Sequence, residues 1–416
     1  MKATLLIKNI SQLASPTGND AVRGAAMTEL TCIDDAAILV DVEKIVWVGK
    51  QSDLPTIQDP QPEVVDASGR AVVPGFVDSH THFVFGGYRD EEFLWRAKGL
   101  PYMEIHKRGG GIANSVRATR DASLNDLVAL GMTRLERMLE LGVTTVEGKS
   151  GYGLDLDTEL RQLEAMGVLD ARQPVDVVPT FMGAHSIPAE YKGRTSDYVS
   201  WMIDQVLPHI KSQGIAKFCD IFCEKGVFEL EDSRRFLKAC KALGYPVKLH
   251  ADEIERIGGA GLAAELGAVS ADHLLKASPA DLHAMAEAGV VATCLPLTAF
   301  VLREPYADSR TMIDSGCALA LASDLNPGSC YSQSIPLIFA LATLYLNMSM
   351  EESLTAMTLN GAAALGLAHD RGSIEAVMLA DILVLDAPSY RHLAYHSGMN
   401  CVKTVIKRGK IVSVRE

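Results

Sequence analysis

Apolar residues recur along this chain in two rhythms. In the middle of the sequence, short runs rich in β-branched and aromatic residues alternate with stretches whose apolar positions return every three or four residues. The strand-like runs are Val72–Val77, Thr144–Glu147, Asp176–Phe181, Phe218–Phe222, Val247–His250, Val269–Asp272, Val290–Cys294 and Ala318–Ser323. Helix-like stretches such as Leu124–Leu141, Thr158–Ala171, Leu230–Leu243 and Glu255–Leu266 lie between them. Strands that alternate with amphipathic helices signal parallel βαβ units. Eight such units predict an α/β chain whose residues 72–372 form a closed (β/α)8 TIM barrel. A doubly wound open sheet competes, but its first strand should lead into a Gly-rich phosphate loop. Gly109–Gly111 lies too far from Val72–Val77 and lacks the spacing.

Both ends of the chain follow a different rhythm. Thr4–Lys8, Ala37–Val40, Lys44–Val48 and Glu63–Asp66 are short β-rich runs separated by turn residues. Similar runs return at Asp381–Leu385, Val402–Lys407 and Ile411–Val414, with a hairpin-like Arg408-Gly409-Lys410 turn. Residues 1–71 and 373–416 are therefore expected to form one small β-sandwich domain, interrupted by the barrel.

Composition narrows the partners. The formal net charge is -13, which repels phosphate backbones and argues against nucleic acid. The most apolar run, Ile335–Leu346, is too short to cross a bilayer and carries Pro336, so it reads as a buried helix and no membrane association is expected. The start, MKATLLIKNISQL, lacks the apolar core of a signal peptide. Of the 8 cysteines, Cys219 and Cys223 lie in an apolar stretch and read as core packing. A cytoplasmic, reducing location is the expectation.

The chemistry gathers at strand ends. His80-Thr81-His82 follows the first strand, and residues i and i+2 of an extended chain point to one side. Alone this is a weak signal, more readily read as two polar residues at a strand end. His250, His273 and Asp324 close or follow three further strands, and His185 comes shortly after another. Active sites of such barrels sit at the C-terminal ends of the strands, and imidazole with carboxylate suits zinc or non-haem iron. His106, His209, His283, His369, His392 and His396 fall in helices or loops and read as structural.

Pro74-Gly75-Phe76-Val77-Asp78-Ser79-His80-Thr81-His82 resembles the opening motif of the amidohydrolase superfamily, and Ala380-Asp381-Ile382-Leu383-Val384-Leu385-Asp386 its closing β motif. Interior stretches are similar to those of the imidazolonepropionases within it. They are Phe85–Arg89, Gly109–Ile112, Lys149–Leu154, Thr180–His185, His250–Glu253 and Asp324–Ser329, and with the two motifs they reach across nearly the whole chain. The resemblance implies one Zn2+ or Fe3+ per chain, held by His80, His82, His250 and Asp324. It also implies that Arg89, Tyr152, His185, Glu253, Asn326, Gly328 and Ser329 contact a small-molecule substrate with a carboxylate tail. Tyr102 is a weaker candidate for the same pocket. Arg89 has the planar fork that suits a carboxylate, although beside Asp90-Glu91-Glu92 it also reads as a solvated loop arginine. Glu253 likewise reads as a surface carboxylate without the resemblance.

The implied reaction is hydrolysis of the cyclic amide of 4-imidazolone-5-propanoate to N-formimino-L-glutamate, a step of histidine degradation. Asp324 would shuttle a proton, His273 would bond the attacking water or the oxyanion, and Glu253 would hold the ring or exchange a proton with it. Binuclear relatives use a lysine from the fourth strand; Phe218–Phe222 offers none pointing inward, and Lys225 falls beyond it, so a single metal is expected. Two other readings stay open. One is a metal-dependent deaminase of a nitrogen heterocycle; the other is a barrel that serves as a non-catalytic scaffold. A homodimer is entertained.

Overall fold

The computed structural model describes residues 1–99 and 110–415; Tyr102, His106 and Gly109 lie outside the described residues. Strands β1 (Leu5–Ser15), β2 (Thr31–Asp41), β3 (Lys44–Lys50), β4 (Glu63–Asp66) and β5 (Ala71–Pro74) precede the barrel. The barrel strands are β6 (Phe76–Asp78), β7 (Val143–Lys149), β8 (Asp176–Ala184), β9 (Phe218–Cys223), β10 (Lys248–Ala251), β11 (Ser270–His273), β12 (Val291–Cys294) and β13 (Leu319–Leu321). After them come β14 (Ile382–Leu385), β15 (Val402–Lys407) and β16 (Lys410–Val414).

The chain ends share one sheet, ordered β16-β15-β14-β5-β1-β2-β3, with β4 also on β1. Its inner face buries Leu5, Ile7, Ile10 and Leu13 from the first strand together with Ile382, Val384 and Ile406 from the last ones. This is the β-sandwich unit expected from the two ends. β14 pairs antiparallel with β5, Leu383 opposite Val73.

One predicted strand divides. Val72–Val77 is continuous in the apolar pattern, but Ala71–Pro74 belongs to the sheet of the chain ends and Phe76–Asp78 to the barrel. Gly75 makes the switch: its N–H donates to the Asp381 carbonyl at 2.9 Å, and a Cβ there would lie 2.4 Å from the Thr144 hydroxyl.

The barrel strands run parallel in the order β6 through β13. The ends of that order meet through backbone bonds beyond the strands. The N–H of Asp324 donates to His80 O at 3.0 Å and that of His82 to Leu325 O at 2.9 Å. The N–H of Ser323 donates to the Asp78 carboxylate at 2.9 Å. Helices cover the outside. Leu124–Glu140 starts at a Ser123–Asp126 capping box and turns Leu127, Leu135 and Met138 inward. Leu156–Arg172 starts where the Asp155 side chain accepts from Thr158 N. Ile335–Leu344 is the expected buried helix, and Cys219 and Cys223 are buried in β9. Among the described residues, no helix is long and apolar enough to cross a membrane.

An ionic cluster ties barrel to sheet. Asp176, at the start of β8, accepts from Arg371 at 2.5 Å, Lys407 at 2.9 Å and Arg408 at 3.2 Å, while Lys407 also reaches Asp381 at 2.6 Å.

Candidate active site

The strand-end residues converge. His80 and His82 follow β6, His250 lies in β10, His273 ends β11, Asp324 follows β13 and His185 follows β8. His250 Nε2 stands 3.3 Å from His82 Nε2. Asp324 Oδ1 stands 3.6 Å from His80 Nε2 and 3.8 Å from His82 Nε2. Ligand bonds of about 2.0–2.1 Å put neighbouring corners of a tetrahedron roughly 3.4 Å apart, so this spacing is that of groups around one small cation.

Proton bookkeeping agrees. His80 Nδ1 bonds Asp272 Oδ2 at 2.6 Å, so its proton sits on that side and Nε2 carries the lone pair. Nε2 has no hydrogen-bond partner although it is buried. It faces a carboxylate oxygen, another acceptor, and such an arrangement is repulsive until a cation or a proton lies between. His250 is turned the same way by Asp220, Nδ1 to Oδ1 at 3.1 Å. Burial is the chief cause that holds His80, His82 and His250 well below the ordinary histidine range, which leaves them neutral and able to ligate. Burial also pushes the Asp324 carboxyl up to about 7, and Asp324 Oδ2 is fixed by the Thr298 hydroxyl at 2.6 Å. Asp324 holds φ 50° and His273 φ 75°, left-handed backbone that non-glycine residues seldom adopt and that clusters at functional sites.

Above this cluster opens a cavity of about 740 Å³. Arg89, Tyr152, His185, Glu253, Asn326, Gly328 and Ser329, the substrate contacts expected from the sequence, all line it, and so does His273. Each is placed by its surroundings. His185 Nδ1 bonds Gly151 O at 3.2 Å and its ring stacks on His82 with centroids 4.7 Å apart. Glu253 follows Asp252, whose buried carboxylate collects the N–H groups of Ile257, Gly258, Gly259 and Ala260. Its Oε1 lies 3.6 Å from His273 Nδ1, a buried atom without a hydrogen bond. Burial and then the charge of Asp324 push the Glu253 carboxyl up to about 8, while burial pulls His273 down to about 4.

Two expected contacts have further engagements. Arg89 gives Nε and Nη2 to Glu92 at 2.9 and 2.8 Å, so it is neither a free fork nor a solvated loop residue. Gly328 lets the Arg89 guanidinium lie close against the backbone: a Cβ there would meet Arg89 Nη1 at 2.1 Å and push the arginine aside. Asn326 spends its side chain on its own turn, accepting from the N–H groups of Gly328 at 2.9 Å and Ser329 at 2.8 Å. It thereby shapes the wall that Gly328 and Ser329 present.

Sequence reasoning passed over the layer beneath. Lys149, Lys248, Glu147, Asp220 and Asp272 are all fully buried there. Lys149 Nζ reaches Asp220 at 2.6 Å, Glu147 at 2.9 Å and Asp272 at 3.5 Å. Lys248 Nζ reaches Glu147 at 2.7 Å and the Ser79 carbonyl at 3.0 Å. A charged residue inside an apolar strand, such as Asp220 in Phe218–Cys223, was the available signal. Arg96, which lines the cavity and donates to Gly328 O at 2.9 Å, was also missed. Lys225 stays outside, paired with Glu255 on the surface at 2.7 Å.

The model of the amidohydrolase family matches residues 71–412. The chain is 54% identical over 408 residues to an imidazolonepropionase of Parabacteroides distasonis, covering 98% of each chain. It is 52% identical to an imidazolonepropionase of Clostridium tetani, covering 99% of this chain and 98% of that one. The chain belongs to the amidohydrolase family and, within it, groups with the imidazolonepropionases. The fold of this amidohydrolase also matches solved structures at low identity. A zinc-bound adenosine deaminase from Xanthomonas campestris has a TM-score of 0.72 at 20% identity, covering 99% of this chain and 93% of that one. The guanine deaminase of E. coli has a TM-score of 0.74 at 15% identity, covering 99% and 100%. These likenesses concern the fold alone.

Proposed function

We propose that this chain hydrolyses the cyclic amide of 4-imidazolone-5-propanoate to N-formimino-L-glutamate, with one zinc or iron ion held by His80, His82, His250 and Asp324. The observation that carries the reading is the facing of His80 Nε2 and Asp324 Oδ1 at 3.6 Å, two acceptors of which the buried Nε2 has no hydrogen-bond partner, under a cavity lined by Arg89 and Arg96. Full-length relatives named imidazolonepropionase supply the substrate class.

The ion, when bound, supplies a water acidic enough to attack near neutral pH. The residues of the chain do the rest. Arg89 binds the propanoate tail, and binding energy from this remote group orients the ring over the cluster. Tyr152 and His185 wall the ring, and Glu253 holds its nitrogen and carbonyl edge. Asp324 accepts a proton from the attacking water and passes it to the ring nitrogen that leaves as the C–N bond breaks. His273 donates to the oxygen on which negative charge develops. Water adds its hydroxyl to the carbonyl carbon and its proton to nitrogen, so no co-reactant is required.

Product identification tests the reading. Incubation of the metal-loaded protein with imidazolone propanoate is expected to yield formimino-glutamate without ammonia. Ammonia release would instead identify a deaminase.

A further inference from the structure

We propose that Lys149 is a positioning residue for the metal centre: its buried ammonium clamps both carboxylates that aim histidines at the ion. This rests on the proposed ligand set. Lys149 closes β7, and its Nζ lies 2.6 Å from Asp220 Oδ2 and 3.5 Å from Asp272 Oδ2. Asp220 uses its other oxygen, Oδ1, to hold His250 Nδ1 at 3.1 Å. Asp272 uses the same Oδ2 to hold His80 Nδ1 at 2.6 Å. One cation thus reaches two imidazoles, one just past β6 and one in β10, through one carboxylate each.

The clamp answers a physical need. Asp220 and Asp272 are fully buried, and like charges so placed repel and resist ionisation. Lys149 sits between them and makes both anions tolerable. A carboxylate kept ionised fixes the histidine tautomer and raises ligand basicity. Burial disfavours the charged ammonium, but the charges of Asp220, Glu147 and Asp272 outweigh it and the net shift is upward. Lys248 is as buried and serves as the internal control. It bonds Glu147 and the Ser79 carbonyl, lies 4.0 Å from Asp272 and reaches Asp220 only through the longer-range influence of its charge, with no hydrogen bond to either Asp272 or Asp220.

The test uses cobalt(II) added to metal-free protein, because its visible spectrum reports ligand geometry without turnover. Lys149→Met should weaken cobalt binding by about 10–100-fold, the usual cost of losing a group behind a ligand, and change the spectrum. Lys248→Met, which removes no hydrogen bond to Asp220 or Asp272, should weaken cobalt binding clearly less than Lys149→Met does. Wild-type affinity and spectrum in Lys149→Met would overturn the proposal. Equal losses in the two lysine variants would also overturn it, since a general cost of disturbing buried charge gives that result. Should Lys149→Met fail to fold, Lys149→Gln, which keeps a hydrogen-bond donor but no charge, takes its place and is read by the same outcomes. His80→Ala separates the two readings. If cobalt binds that variant as it binds wild type, the ligand set itself is wrong. If His80→Ala abolishes binding and Lys149→Met leaves it intact, the clamp alone is refuted.

Discussion

The backbone N–H of Asp324 donates to the carbonyl of His80 at 3.0 Å, so the last barrel strand closes on the first through two of the proposed metal ligands. The seam that closes the barrel thus carries two of the proposed ligands side by side. The side chains can then be altered while the seam keeps its backbone bonds. Asp324→Asn should therefore fold, retain the bond from Thr298, and lose metal affinity by at least about tenfold, the lower end of what even an outer partner costs. Elemental analysis should give one ion per wild-type chain. Two tightly held ions, or full metal content in Asp324→Asn, would contradict the ligand set.

Arg89 should read the carboxylate of the substrate. Loss of a buried, charge-assisted Arg–carboxylate pair costs about 2–5 kcal/mol, so Arg89→Met should lower kcat/KM by roughly 30-fold or more. Metal content should stay unchanged. Wild type should strongly prefer the acid over the substrate whose tail ends in a neutral amide, and the Met variant should lose most of that preference. Equal discrimination by both proteins would leave Arg89 only as the partner of Glu92.

Glu253 should matter to turnover and not to metal content. Its carboxyl is pushed up to about 8, chiefly by burial, so it is protonated below that pH and loses its proton above it. A bound cation favours the carboxylate, so a limb of kcat/KM that depends on the protonated form should fall at or below about pH 8. Glu253→Gln should remove this limb and cost about 10²–10⁴-fold in kcat. A Gln variant of near wild-type activity would make Glu253 a hydrogen-bonding group alone.

Asp176 should stabilise the junction of barrel and sheet. Burial would raise its pKa, but Lys407, Arg371 and Arg408 outweigh burial and hold it below the usual 3.8. A carboxyl depressed by folding contributes stability that is fully present above 3.8 and is lost as pH falls through the lower folded value. Asp176→Asn should thus lower Tm at neutral pH, by an amount equivalent to at most about 3 kcal/mol given partial exposure. The difference from wild type should shrink in strong acid. A pH-independent difference would make the cluster a matter of packing.

Much of this was legible because it is local. His80-Thr81-His82 lies in three consecutive residues and gains weight because His250, His273 and Asp324 also stand where short apolar runs stop. The alternation of strand and helix carried the barrel. What escaped depends on partners far away in sequence. Nothing near Val72–Val77 says that its first half pairs with Ile382–Leu385 and its second with Val143–Lys149. Lys149, Asp220 and Asp272 meet only once three strands take their register around the barrel, so each alone reads as an odd charge in a strand. Arg96 belongs to the helix Asp90–Ala97, where an arginine in the last turn needs no functional explanation.

Hydrolysis in oxygen-18 water tests the central claim most directly. Attack at the cyclic amide carbon places one heavy oxygen in the newly formed carboxylate of formimino-glutamate and leaves the formimino group unlabelled and intact. That is the predicted mass spectrum of the product from wild-type, metal-loaded protein. Label on the formimino carbon, release of ammonia, or no consumption of imidazolone propanoate at all would contradict the account.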